Sequence, residues 1–182
     1  MRNSIITFRE TLVPEDITIV REITESTAFF HPAEIETALE LVAERLAKGV
    51  KSGYFFLFAE VENKTRGYSC FGPIACTQSS YDLFWIAVHR DYRGRGLGKE
   101  LLKKSEEVIK GLGGTRIYVE TSSRELYRPT RLFYEARGYV REAVLEDFYA
   151  PGDSKVVYLK TCLSGGCYPE AVRIAKKDSS AM

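Results

Sequence analysis

Hydrophobic positions follow two different periods along the chain, and the change of period predicts its elements. Alternating residues predict a strand over Ser4–Glu10, and apolar residues three or four positions apart then predict a helix after Pro14. A second helix is predicted from Pro32 to Gly49, since proline suits a helix start and glycine a helix end. The apolar positions are Ile17, Val20 and Ile23 in the first helix and Ile35, Leu39, Val42 and Leu46 in the second.

The pattern then changes to period two, which is typical of strands. Three successive strands are predicted over Tyr54–Glu62, Gly67–Ile74 and Tyr81–Val88. The remaining predicted elements are a helix over Leu97–Lys110, a strand over Thr115–Ser122, a short helix from Pro129, and the strands "YVREAVL" and "KVVYLK". The order β-α-α-β-β-β-α-β-α-β-β predicts one mixed α/β (α+β) domain, with a mostly antiparallel sheet of about seven strands and about four helices. We expect this domain over residues 1–161, with a tail over 162–182 that loses the period.

Composition and charge exclude several classes of protein. Hydrophobic residues make up 45% of the 182 residues and the formal net charge is +1, so no overall field attracts nucleic acid or an anionic membrane. The four cysteines form no CxxC pair, so no metal site is expected. The first ten residues lack the apolar core of a signal peptide, and we therefore expect a cytoplasmic protein with reduced thiols.

A glycine-rich stretch, "DYRGRGLGKELL", precedes the third predicted helix. A nucleoside-triphosphate loop would need Ser or Thr after Gly98-Lys99, where Glu100 stands. A dinucleotide fingerprint would need G-x-G-x-x-G after the first strand of a βαβ unit, and it fits weakly. The third hypothesis is a pyrophosphate cradle of the form [Q/R]-x-x-G-x-[G/A], supplied by Arg93, Gly96 and Gly98, with a plain glycine turn as the alternative.

The segment "YDLFWIAVHRDYRGRGLGKELL", followed later by "TRLFYEARGY", resembles the GNAT superfamily of acyl-CoA-dependent N-acetyltransferases. The resemblance extends from about Ile6 to Lys160 and implies that acetyl-CoA is the co-substrate, without a metal. The pyrophosphate would then bind the glycine stretch, and the pantetheine arm would pair with the "WIAV" strand. The implied coenzyme A contacts are Ile86, Ala87, Val88, Arg93, Gly94, Arg95, Gly96, Leu97, Gly98 and Lys99.

Acetyl transfer to an amine requires a group that accepts the proton of the amine and one that protonates the leaving thiolate. The resemblance points to Asp82 as the base, directly or through water, because family members place a carboxylate at this position. Glu120 is a second candidate, and both carboxylates could instead be ordinary strand residues. Tyr134 occupies the position of the family's general acid. We expect Phe133 to pack in the core and Tyr134 to face the cofactor.

The acceptor amine is expected between the first helices and the last two strands. Thr27–Pro32, the aromatic residues of "YDLFW" and the acidic segment Leu145–Asp153 could line its site. The acidic residues Glu146, Asp147 and Asp153 would suit a cationic acceptor. A small-molecule amine is favoured over a peptide, an exposed edge strand near "KVVYLK" would allow a homodimer, and neither nucleic acid nor membrane is expected as a partner. The competing hypotheses are a non-catalytic acyl-CoA sensor and an adaptor that uses Arg90, Arg93 and Arg95 as a basic patch.

Overall fold

A computed structural model describes residues 5–162, and its elements follow the predicted order. The strands within this range are β1 (Ile6–Arg9), β2 (Phe55–Val61), β3 (Lys64–Pro73), β4 (Ser80–Val88), β5 (Arg116–Ser122), β6 (Val140–Ala150) and β7 (Asp153–Thr161). The α-helices are α1 (Asp16–Ser26), α2 (Pro32–Lys48), α3 (Leu97–Gly111) and α4 (Arg128–Glu135). Short 3₁₀ turns lie at Gly49–Ser52, Arg90–Tyr92 and Glu125–Tyr127. The predicted tail lies outside the described residues except for Cys162.

The strands form one sheet in the order β1-β2-β3-β4-β5-β7-β6. The edge expected near "KVVYLK" was wrong, because β7 pairs with β5 on one side and with β6 on the other. All neighbouring pairs in this sheet are antiparallel except β4 and β5, which are parallel. Parallel neighbours need a crossover connection, and α3 provides it between β4 and β5. The mixed, mostly antiparallel sheet with four helices confirms the predicted fold class.

The helices cover the two faces of the sheet separately. Val20 and Ile23 of α1 and Leu39 and Val42 of α2 pack with Phe58 of β2 in one buried cluster. On the opposite face, the apolar side of α3 and Tyr134 of α4 pack against β4, β5 and β7 in a second cluster. The sheet is therefore the middle layer of three, and α1, α2 and α3 bury the apolar sides that their periods predict.

A β-bulge in β4 changes which side chains share a face. Cys70 of β3 pairs with Trp85, whereas the next residue, Phe71, pairs with Leu83, so Phe84 is the extra residue. Because of this extra residue, Asp82 and Trp85 point to the face that α1 and α2 cover. Leu83 packs in the opposite cluster with α3.

None of the described helices is long and apolar enough to span a membrane. Within residues 5–162, no three His, Cys, Asp or Glu side chains gather as potential metal ligands.

Candidate active site

The strands β4 and β5 separate soon after they meet. They pair only from Ser80 to Asp82 on β4 and from Arg116 to Tyr118 on β5. Beyond this point, β4 continues to pair with β3 on its other side as far as Val88. The edge of β4 that faces the gap therefore has free backbone donors and acceptors, which an extended ligand with amide groups can pair like an added strand. Ile86, Ala87 and Val88, the predicted pantetheine contacts, lie on this stretch.

The glycine stretch follows β4 directly and leads into α3. Gly94 and Gly96 have φ angles of 71° and 84°, which a side chain would strain. The N–H of Glu100 donates to the carbonyl of Gly96 at 3.1 Å, so the N–H groups of residues 97–99 precede the first helical hydrogen bond. Among residues 5–162, no atom other than those of the glycine and its two chain neighbours lies within 4 Å of the position that a Cβ would take on Gly94 or Gly96. Bare backbone, free N–H groups and the positive end of a helix dipole together fit a pyrophosphate.

Two arginines stand beside this cradle on aromatic rings. The guanidinium of Arg93 lies 5.9 Å from the ring centroid of Phe29, and that of Arg95 lies 5.2 Å from that of Tyr92. Burial lowers the pKa of Arg93, yet an arginine remains charged at neutral pH. The N–H of Arg93 donates to the carbonyl of Arg90 at 3.2 Å, so Arg93 can offer its side chain rather than its amide to an anion.

Tyr134 is more deeply buried than expected, with 5% of its surface exposed. Its ring lies 5.3 Å from that of Tyr139 and 6.3 Å from that of Tyr158. Phe133 is only partly buried, and its ring lies 3.6 Å from where a Cβ on Gly98 would be. The expected order of burial was therefore wrong, because Tyr139 and Tyr158 form an aromatic slot that accepts Tyr134. Burial raises the pKa of Tyr134, so its phenol keeps its proton at neutral pH.

Asp82 and Glu120 lie on the same face of the sheet. Asp82 is opposite Tyr118, and Glu120 follows two residues after Tyr118 on β5. Burial, and then the negative charge of Glu120, raise the pKa of Asp82 to about 6, while Lys155 acts in the opposite direction. In residues 5–162, no side chain lies within hydrogen-bond or ion-pair distance of the Asp82 carboxylate. A half-buried, unpaired carboxylate with this pKa is ionised at neutral pH and can accept a proton.

Glu120 is already engaged. Its Oε2 lies 2.7 Å from Nζ of Lys155, and the Lys155 ammonium lies 3.8 Å from the ring centroid of Phe148. The lysine side chain is only 13% exposed, whereas that of Glu120 is 49% exposed. The structure thus brings both candidate bases together but leaves only Asp82 without a partner.

Aromatic residues from separate elements meet above this face. The rings of Phe30 and Trp85 lie 5.0 Å apart, and those of Phe29 and Tyr127 lie 4.7 Å apart. The loop between α1 and α2 therefore contacts both β4 and the turn before α4.

Two of the acidic residues expected to attract the acceptor have structural partners instead. Asp153 is buried, accepts a hydrogen bond from the Ser122 hydroxyl and pairs with Nε of Arg124 at 3.0 Å. Oδ1 of Asp147 accepts the N–H of Gly152 at 2.7 Å and closes the β6–β7 turn. Glu146 is exposed.

Sequence reasoning missed Lys155 and Tyr127. A lysine in a strand is usually solvent-exposed, so only the pairing of β5 with β7 could have placed Lys155 next to Glu120. Tyr127 precedes the predicted helix that starts at Pro129, and no local pattern brings it to Phe29.

The comparison with family models matches residues 19–139 to the acetyltransferase (GNAT) family. This span covers most of the chain and includes β4, the glycine cradle and Tyr134. The chain belongs to the GNAT family. It is an acyl-CoA-dependent N-acetyltransferase, and the family resemblance expected from its two motifs is confirmed.

Solved structures agree with this assignment. A GNAT-family protein from Desulfovibrio desulfuricans is 42% identical, with a TM-score of 0.85, and the match covers 86% of this chain and 99% of that one. An aminoglycoside 6'-N-acetyltransferase in complex with coenzyme A is 18% identical, with a TM-score of 0.70, over 90% of this chain and 99% of that one. The ribosomal-protein-S18-alanine N-acetyltransferase from Escherichia coli is 17% identical, with a TM-score of 0.69, over 91% and 100%. The last two share the fold. No curated protein sequence matches the chain significantly.

Proposed function

We propose that this GNAT enzyme transfers the acetyl group of acetyl-CoA to a primary amine of a small molecule, by direct attack in a ternary complex. The observation that carries the proposal is the position of Asp82. This unpaired carboxylate lies where β4 leaves β5, at the entrance of the gap whose other end meets the glycine cradle. A base therefore stands where an acceptor and an extended acyl-CoA would meet.

Acetyl-CoA binds through two backbone features. The N–H groups of residues 94–99 receive its pyrophosphate, with Arg93 and Arg95 at the sides, and Ile86 and Val88 offer main-chain groups to its amide arm. A backbone N–H on this edge of β4 also stabilises the negative charge that develops on the acyl oxygen.

Proton transfers are divided between Asp82 and Tyr134. An alkyl amine with a pKa near ~10.4 arrives as an ammonium ion at neutral pH, and Asp82 removes one proton, directly or through water. The nitrogen then attacks the thioester carbonyl, a C–N bond forms and the C–S bond breaks. Tyr134 donates its proton to the departing sulfur, and the second proton that the nitrogen loses on becoming an amide returns through water to the Tyr134 oxygen. Its raised pKa means that the phenol is protonated again before the next turnover.

Two features favour a small acceptor. The acceptor side is enclosed by aromatic side chains, namely Phe29, Phe30, Trp85 and Tyr127. The net charge of +1 provides no strong electrostatic field that would attract a polymeric partner. Aminoglycosides are the acceptors named for one structural relative, and a ribosomal-protein alanine for another. We place the enzyme in the cytoplasm, in accord with its unpaired cysteines at positions 70, 76 and 162.

The test is the pH dependence of kcat/KM for Asp82→Asn. Two measurements come first. Calorimetry with acetyl-CoA, with NADH and ATP as controls, measures cofactor binding, and a thiol-release screen of amines identifies an acceptor. In the wild type, kcat/KM should rise up to about pH 6 and then level off, following Asp82. In Asp82→Asn, only the free-amine fraction reacts, so kcat/KM should be roughly 10²- to 10⁴-fold lower at pH 7 and rise steadily towards the amine pKa. Acetyl-CoA affinity should stay within about twofold. A variant that keeps the wild-type plateau would exclude Asp82 as the base.

A further inference from the structure

Lys155 holds a position on β7 that the proposed reaction does not yet use. Its Nζ lies 2.7 Å from Oε2 of Glu120, and it lies 3.8 Å from the ring centroid of Phe148. Only 13% of the side chain is exposed, which is unusual for a lysine. A carboxylate on β5 and an aromatic ring on β6 thus fix this ammonium ion on the acceptor face of the sheet.

The strand register explains why Lys155 lies on the same face of the sheet as Asp82. Lys155 is opposite Ser122 on β5, and Glu120 lies two residues before Ser122 on the same face. Asp82 reaches this face from β4 through its pairing with Tyr118. Asp82, Glu120 and Lys155 therefore form a row across three neighbouring strands, with one positive and two negative charges.

We propose that Lys155 is a positioning residue that occupies Glu120 and thereby leaves Asp82 as the single base of the reaction. The proposal rests on the proposed function, because it assigns Lys155 a task in that reaction. Two free carboxylates on one face would compete for the proton of the amine and repel each other. With Glu120 held by an ammonium ion, one negative charge in the row is compensated and the other stays free to accept a proton.

The charges around Asp82 support this division. Glu120 raises the pKa of Asp82 and Lys155 lowers it, so the two neighbours act in opposite directions on one carboxylate. Further out, Tyr149 of β6 lies near Glu120 and Asp153, and both it and Tyr127 lie near Glu34 at the start of α2. Arg124 pairs with Asp153 and acts on Tyr127. Neither these outer charges nor the two phenols are among the groups that change the pKa of Asp82.

The experiment removes the charges of Lys155 and Glu120 singly and together. For each variant, the acid limb, in which kcat/KM rises with pH, is measured. Lys155→Met keeps the aliphatic stem on Phe148 but removes the positive charge. The midpoint of the acid limb in the kcat/KM profile should therefore move to a pH about one unit higher. Glu120→Gln should move it down by a similar amount, since it removes the opposing charge. The double variant should lie between the two single variants, because Glu120 and Lys155 change the pKa of Asp82 in opposite directions. Lys155→Arg should retain the wild-type limb.

Lys160→Met is the matched control. Lys160 also lies on β7, pairs with Glu106 at 2.7 Å and stands 5.4 Å from the ring centroid of Tyr139. It is opposite Ile117, on the other face of the sheet. This variant loses the same kind of ion pair and should show a similar change in Tm, but its acid limb should stay in place.

A direct titration separates this proposal from the proposed function. The carboxyl carbon of Asp82, observed by NMR in ¹³C-labelled protein without substrate, should show the same opposite shifts in Lys155→Met and Glu120→Gln. If these shifts occur but Asp82→Asn keeps the wild-type pH profile, the proposed base is wrong while the charge row stands. If Asp82→Asn behaves as expected and Lys155→Met moves neither titration, the role of Lys155 is refuted. Equal shifts in Lys155→Met and Lys160→Met would also refute it.

Discussion

Alanine at Gly96 and at Gly98 should separate the two roles of glycine in the cradle. Gly96 has a φ of 84° and open space around its Cβ position, so alanine there meets no neighbour but strains the backbone. Left-handed backbone costs an L-residue about 1 to 2 kcal/mol. For a domain of this size, that corresponds to a loss of roughly 2 to 8 °C in Tm. The new methyl group would also enter the open space in which we expect the phosphate oxygens.

Gly98 differs in both respects. It lies in the first turn of α3 without a positive φ, and a Cβ there would contact Phe133 and Val88 at 3.6 Å, which is an ordinary packing distance. Alanine should therefore be neutral or stabilise the helix by up to about 1 kcal/mol. Because the methyl group would point towards protein rather than the cradle, acetyl-CoA affinity should change less than about threefold.

Thermal unfolding and calorimetric titration of both variants with acetyl-CoA measure these effects. We expect Gly96→Ala to lower Tm and to weaken binding at least tenfold, and Gly98→Ala to do neither. Wild-type affinity in Gly96→Ala would refute the cradle. Equal losses of affinity in both variants would refute the argument that free space lies in front of Gly96 but not in front of Gly98.

Two further substitutions test the general acid and the fold. Tyr134→Phe should lower turnover about 10²-fold and change acetyl-CoA affinity less than twofold, because it removes only the proton donor. Tyr139→Phe, in the same aromatic slot, is the control and should keep wild-type turnover. Equal turnover in the two variants would remove Tyr134 from the mechanism. Asp16→Asn should destabilise the protein by about 2 kcal/mol in urea unfolding, since Asp16 is fully buried and pairs with the partly exposed Arg9 at 2.8 Å. Glu44→Gln at the exposed pair with Lys48 is its control and should leave the urea unfolding midpoint unchanged within experimental error.

The order of elements could be predicted from the sequence because it depends on local patterns. Pro32 does begin α2, Leu97 begins α3, and β4 ends at Val88 as expected. The predicted ends of strands were less accurate where residues near a turn also pair with the neighbouring strand. The strand expected from Gly67 begins at Lys64, and the strand expected over Tyr139–Leu145 continues to Ala150.

The open glycine turn before α3 could also be predicted, because it lies in one continuous segment, whereas its binding of a pyrophosphate stays a prediction. The contacts of the acceptor side could not, since they depend on which strands pair and in which register. Asp153 illustrates the difference. From the sequence alone, it is a turn residue with a free carboxylate. The pairing of β5 with β7 places it against Ser122 and Arg124, and the guanidinium of Arg124 compensates its charge.

The extra residue Phe84 links these observations to the proposed reaction. Without the bulge, strict alternation from Leu83 would place Trp85 on the α3 face and turn it away from Phe30. With it, Asp82 and Trp85 share the acceptor face, while Leu83 and Ile86 pack against the cluster on the α3 face. The bulge lies just beyond the last pair between β4 and β5, at the point where the gap opens. One inserted residue thus aligns the base and the aromatic wall on one side of the sheet, beside the open edge of β4 on which the proposal places the thioester.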